Sequence, residues 1–155
     1  MQAQSDWERE QQRRNWRERP VALPEYPREE RLVPFFVSSA SNFRFFIDAP
    51  SVSTGTDGVV RYALVVRSAT GAESITYEGI RCETGAYRIY ATGIDGGWKP
   101  ATGGWRRIEP RSVQRWHNAL YLEYFCPLGE PIRSAREGVN ALRAGDHPSR
   151  SLTGP

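Results

Sequence analysis

The chain has no long apolar run. Its clearest hydrophobic stretch is Tyr62-Ala63-Leu64-Val65-Val66, far short of the ~18 residues that a membrane helix needs. Metal-ligating residues are scarce. A four-ligand zinc site would consume both cysteines, Cys82 and Cys126, and both histidines, His117 and His147, and their spacing matches no metal motif. No metal or other cofactor is expected. Lysine is nearly absent, Lys99 being the only one. The positive charge is therefore arginine, spread along the whole chain as in a genome rich in G and C. A nucleic-acid binder gathers such charge on one face or arm. The net charge of +3 and the isoelectric point near 9.1 thus do not predict a nucleic-acid partner. No glycine loop opens a helix as a phosphate cradle would. Gly96-Gly97-Trp98 and Gly103-Gly104-Trp105 lie between predicted strands. No apolar stretch precedes the charged segment, so no signal peptide is visible. Gln2-Ala3-Gln4 resembles the surroundings of a small-residue cleavage site, which predicts export.

What is present suits one modest domain. Of 155 residues, 39% are hydrophobic and 12% aromatic, too aromatic for a disordered chain. Residues 5–19 are charged helix formers without Gly or Pro, with Ser5 or Asp6 as cap. Glu10 precedes Arg13 and Arg14, and Arg14 precedes Glu18, at helical spacing. Trp7 and Trp16 fall on opposite faces, so this helix is a peripheral arm without an apolar stripe. Pro20, Pro24 and Pro27 then mark an extended linker. The expected organisation is an arm and linker over 1–30, one β-rich domain over 31–145, and a flexible tail over 146–155.

Strands are predicted at Leu32–Val37, Phe43–Ile47, Val59–Arg67, Ile75–Cys82, Tyr87–Ala91 and Trp105–Ile108, with turns at Asp57-Gly58, Thr70-Gly71 and Gly85. Pairing Val66 with Ile75 and Leu64 with Tyr77 sets apolar against apolar. That register puts Glu78 beside Arg61 as a cross-strand ion pair. A long glycine-rich loop from Gly93 to Gly104 separates the last two strands. After Pro110 the period becomes helical, with Ser112 as cap and Val113, Trp116, Leu120 and Tyr124 in phase, joined by Ala119 and Leu122. A shorter helix runs from Ser134 to Ala144, stopped by Gly145. The fold class is α+β: an antiparallel twisted meander of five or six strands, with a C-terminal helix packed on it and a peripheral N-terminal helix. The two cysteines read either as one disulfide or as two inert core thiols.

Asp57-Gly58-Val59-Val60-Arg61-Tyr62 and Tyr77-Glu78-Gly79-Ile80-Arg81-Cys82, followed by Tyr90-Ala91, Trp98 and Trp105, resemble the CNP1-like family of proteobacterial proteins. The resemblance spans roughly Asp6 to Cys126. It implies an exported, periplasmic protein, leaves a lipid anchor open, and carries over no catalytic residue. In that compartment Cys82 and Cys126 pair, closing a long loop worth about 4 kcal/mol.

The chemistry-bearing residues divide accordingly. Cys82 with His117 is the only Cys–His combination for nucleophilic catalysis, and a disulfide silences it. Glu78, within a strand, is the best carboxylate for acid–base work, against its reading as Arg61's ion-pair partner; Glu29-Glu30 belong to a solvated linker. Arg61, Arg81, Trp98 and Trp105 form an aromatic, Arg-rich surface for a ligand or partner. The leading expectation is a non-enzymatic binding module of the cell envelope, with a protein or envelope partner and a homodimer contact through the arm. The alternative is a small periplasmic hydrolase or sugar-active enzyme using Glu78 or His117.

Overall fold

A computed structural model describes residues 5–38, 41–110 and 116–148. The described strands are β1 (Leu32–Phe35), β2 (Arg44–Asp48), β3 (Ser53–Thr54), β4 (Val59–Arg67), β5 (Glu73–Arg81), β6 (Ala86–Ile94), β7 (Gly97–Pro100) and β8 (Arg106–Arg107). They form one open antiparallel sheet in the order β1-β2-β4-β5-β6-β7, with β3 beside β4 and β8 beside β6. Helices are α1 (Asp6–Asn15), α2 (Trp116–Ala119) and α3 (Ala135–Ala144). This is the expected α+β meander, since short turns between successive strands permit only antiparallel neighbours. No helix among the described residues is long and apolar enough to cross a membrane.

The central strand explains the architecture. Val59 through Val66 are all buried, so β4 is covered on both faces. Val60, Tyr62, Leu64 and Val66 point to one face, where Ile47, Ile80, Leu120, Tyr124, Phe125, Ile132 and Leu142 complete the main core. Each such side chain contributes about 1.5–3 kcal/mol on burial. Ala63 lies on the opposite face with Tyr77 and Ala91, under Val21, Tyr90 and Trp98.

Burial on both sides removes the constraint on which the expected register rested. A slip of one residue in β4 exposes no apolar face. The hairpin decides instead. Ser68 N–H donates to the Ala72 carbonyl at 2.9 Å, and Ala72 N–H returns to the Ser68 hydroxyl at 3.0 Å. Gly71 takes φ 93° in the loop, and Arg67 pairs with Glu73 at 2.7 Å. Val65 therefore faces Ile75, Ala63 faces Tyr77, and Tyr62 faces Glu78. The expected pairs Val66–Ile75 and Leu64–Tyr77 are each wrong by one, and Glu78 moves to the face opposite Arg61.

Other boundaries differ for local reasons. The Gly93–Gly104 stretch is not one loop: it contains β7, joined to β6 through Asp95 and Gly96 at φ 52° and 78°. Two consecutive residues with positive φ match the twist of a tight hairpin. Helix α1 is capped by Ser5 through a reciprocal capping box with Glu8 and ends at Asn15, not residue 19, because Trp16 and Arg19 bond to Asp57 in the turn before β4 and Glu18 to Arg61 and Arg88 of the sheet. The pairs from Glu10 to Arg13 and Arg14 are present at 3.3 and 3.4 Å; Glu18 turns away from Arg14. Ser112 and Val113 lie outside the described residues. Helix α2 continues as a wider π-helical stretch, Leu120–Phe125, closed by Cys126 N–H to the Tyr121 carbonyl at 3.2 Å. Leu120, Tyr124 and Phe125 are buried and Leu122 is exposed. Helix α3 has the expected cap, Glu137 N–H donating to the Ser134 hydroxyl at 3.1 Å, and ends at Gly145 with φ 93°.

Candidate functional site

The shifted register assembles a polar cluster on the helix-covered face. Tyr62 on β4 donates its hydroxyl to Glu78 Oε1 at 3.1 Å. Thr76, two residues away on the same face of β5, donates to Oε2 at 2.7 Å. His117 on α2 places Nε2 2.8 Å from Oε1, and its ring stacks on Tyr87 of β6 at 3.8 Å and 13°. With the carboxylate ionised, all three bonds run toward Glu78. Glu78 is only 2% exposed, and its lone pairs are turned inward on these partners. Burial first, and the neighbouring Glu78 second, raise the Tyr62 phenol well above its ordinary range, so Tyr62 remains a donor. Beside β5, strand β6 carries an extra residue: Tyr77 pairs with Ala91 but Glu78 with Ile89. Such bulges re-aim side chains next to sites.

The cluster lies at one wall of a cleft of about 430 Å³. Leu64, Val66 and Ile89 line it from the sheet, Phe43, Tyr87 and Trp116 add aromatic walls, and Arg106 joins from β8. Phe43 is 47% exposed. The volume falls within the range of small-molecule sites, which are mostly apolar with a few placed polar groups.

The sequence-derived residues divide between the two faces. Glu78 and His117, considered separately, stand together. The Arg61–Glu78 ion pair does not form. Arg61 is 6% exposed and holds Asp57 at 2.8 Å, Glu18 at 3.4 Å and the Tyr90 hydroxyl at 3.2 Å. Arg81 stacks over Trp16 at 3.9 Å, and its Nε and Nη2 are buried without a hydrogen-bond partner among the described residues. Trp98 donates to the Pro24 carbonyl at 2.9 Å and packs on Tyr26 and Tyr77. Trp105 packs edge-on to Trp16 and Tyr90. These four residues thus contact the chain's own segment 16–31, a strap across the second face. The strap is further held by Trp16 Nε1 to the Asp57 carbonyl at 2.7 Å, Arg19 N–H to Asp57 at 2.8 Å, and Glu18 to Arg88 at 2.7 Å. Its distal end is fixed by Arg31 on Asp48 and Glu29 on Arg67.

Cys82 is not positioned as a partner of His117. It lies at disulfide distance from Cys126, Cα–Cα 5.5 Å, at the junction between the end of β5 and the π-helical stretch. Among the described residues no group of three or more His, Cys, Asp or Glu side chains could hold a metal ion. Sequence reasoning missed Arg106, Trp116, Phe43, Tyr87 and Thr76. The adjacency of Trp116 and His117 at the start of a helical period was the one usable signal.

The molecule is defined by one antiparallel sheet, helices on one face, a strap on the other, and a cleft at the helical side. The chain belongs to the CNP1-like family, whose model matches residues 11–143. No curated protein and no solved structure matches it.

Proposed function

We propose that the protein is an exported, periplasmic, non-enzymatic binding module that takes a small ligand or envelope component into the cleft beside Glu78. The observation that carries this reading is the cleft itself: aromatic walls over an apolar floor, with a carboxylate whose oxygens already accept three internal hydrogen bonds. A general base needs a free oxygen within reach of substrate; Glu78 serves instead to fix His117, Thr76 and Tyr62. The Cys82–Cys126 pair at disulfide distance supports an oxidising compartment. The surface earlier assigned to Arg61, Arg81, Trp98 and Trp105 is replaced in this reading by the cleft.

The test is titration with the neutral fluorescent probe N-phenyl-1-naphthylamine. One probe should bind per chain, and Phe43→Ala and Trp116→Ala should each weaken it about tenfold, since aromatic burial supplies most of the contact. Trp116 is half-buried and packs on Phe45 at 5.7 Å; Phe43 is 47% exposed and meets Phe45 only at 6.5 Å, so it provides the variant that disturbs the core less. Absence of binding, or binding indifferent to both substitutions, refutes the reading. A second reading, a small hydrolase or sugar-active enzyme, draws on the 2.8 Å Glu78–His117 contact. Turnover of nitrophenyl esters or glycosides, lost in both Glu78→Gln and His117→Gln, would replace the first reading with the second.

A further inference from the structure

The charges around the cleft are unequal in their engagement. Among the described residues two carboxylates line it. Glu73 is paired with Arg67 at 2.7 Å, and Glu78 is held by Tyr62, Thr76 and His117. The guanidinium that lines it, Arg106, is exposed and has no acidic partner among the described residues. Strand β8 fixes its backbone, Arg106 pairing with Tyr87 and Arg107 with Ala86. Arg106 therefore stands next to the ring that stacks on His117. Among the described residues the cleft thus combines an apolar floor, flat aromatic walls and one guanidinium without an acidic partner.

We infer that the ligand is an amphipathic anion: an apolar, planar or acyl body lying between Phe43, Trp116 and Leu64, with a carboxylate, sulfonate or phosphate group on Arg106. Arginine suits this role because its planar fork of donors matches such anions in two-point contact and it remains charged at every accessible pH. Glu73's charge is offset by Arg67; Glu78 keeps its charge, with both oxygens turned onto Tyr62, Thr76 and His117, so the ligand's apolar body lies on the Glu78 side and its anionic group on Arg106. This inference rests on the proposed function of the same cleft and adds the ligand's charge and polarity.

Two probes of one scaffold test it. 8-Anilinonaphthalene-1-sulfonate carries the anion; N-phenyl-1-naphthylamine lacks it. Both are titrated into the folded protein, Arg106→Gln and Arg106→Lys, with near-ultraviolet circular dichroism to establish that each variant keeps native packing. Arg106→Gln should weaken the sulfonate probe about tenfold, the worth of one charge-assisted hydrogen bond, and leave the neutral probe within about twofold. Arg106→Lys should restore part of the loss. Arg106 is exposed, so its replacement does not disturb the core. If Arg106→Gln changes both probes alike, or neither, the inference fails while the binding cleft stands. If neither probe binds the wild type, both readings fall.

Discussion

The buried Glu78 is the most informative residue to perturb, because register, cleft and helix placement meet there. Glu78→Gln keeps the shape of the side chain. The amide oxygen can still accept from Tyr62 and His117, and the amide nitrogen can donate to the Thr76 hydroxyl. Three bonds to a charge then become neutral bonds. A bond to a charged group contributes about 1.5–3 kcal/mol against about 1 for a neutral one, and lost charge is partly offset by easier desolvation. The expected destabilisation is about 1–3 kcal/mol. Glu78→Ala leaves the buried Tyr62 hydroxyl and His117 Nε2 without their shared acceptor and should cost about 3–5 kcal/mol. For a chain of this length each kcal/mol moves Tm by about 2–4 °C, so Glu78→Gln should melt about 2–12 °C lower and Glu78→Ala lower still. Thermal and urea melts of Glu78→Gln, His117→Gln and the double variant complete a cycle. The coupling should be about 1–2 kcal/mol. Strictly additive single effects, or a Glu78→Gln protein as stable as the wild type, would refute the assigned contacts.

Further expectations are accessible to the same melts and to simple biochemistry. Reduction, or Cys82→Ala with Cys126→Ala, should remove about 4 kcal/mol, from a sequence separation of 44 residues; an unchanged Tm in reductant would refute covalent pairing. Asp57→Asn should release the strap, seen as faster proteolysis between residues 16 and 26 and altered tryptophan fluorescence, without loss of the Cys82–Cys126 link. Asp57 also predicts a pH dependence. Burial pushes its carboxyl up, but hydrogen bonds from Arg61 and the Arg19 backbone outweigh burial and hold it below the ordinary value of 3.8. The stability it contributes is complete above that value and is lost as pH falls through the still lower folded pKa. Urea midpoints between about pH 6 and 2 should therefore fall more gently on the acid side for Asp57→Asn than for the wild type. The proposed dimer contact through the arm is tested by deleting 5–15 and measuring solution mass; deletion through 19 would also remove Trp16 and Glu18 and confound the result.

Much of the sheet was legible because β4 is an apolar run over nine residues, buried from Val59 to Val66, and its neighbours are rich in β-branched and aromatic side chains. The α3 boundaries were legible from Ser134 and Gly145, whose capping roles are local. The site was not, because it depends on a register that local pattern leaves open. Once β4 is buried on both faces, apolar matching scores two registers alike, and the Ser68–Ala72 hairpin chooses between them. That choice carries Glu78 from Arg61 to His117. The strap was missed for a related reason: residues 16–31 have linker composition, yet Trp16, Glu18 and Tyr26 meet complementary groups that are distant in sequence. The β6–β7 turn had its Asp95-Gly96 signal, obscured by the glycines around it.

The two coverings of the sheet differ in how they are fastened. The helical side is tied through Cys82 and Cys126, and the strap by hydrogen bonds, ion pairs and ring contacts alone. A pull on α1 should therefore peel residues 16–31 away piece by piece, giving a tether with a reach of about 50 Å while the cleft on the far side stays closed. The second face of the sheet would then open to solvent, with Trp98, Trp105 and Arg61 uncovered. Mechanical load applied at the N-terminal side and chemical reduction would thus dismantle opposite halves of the same molecule.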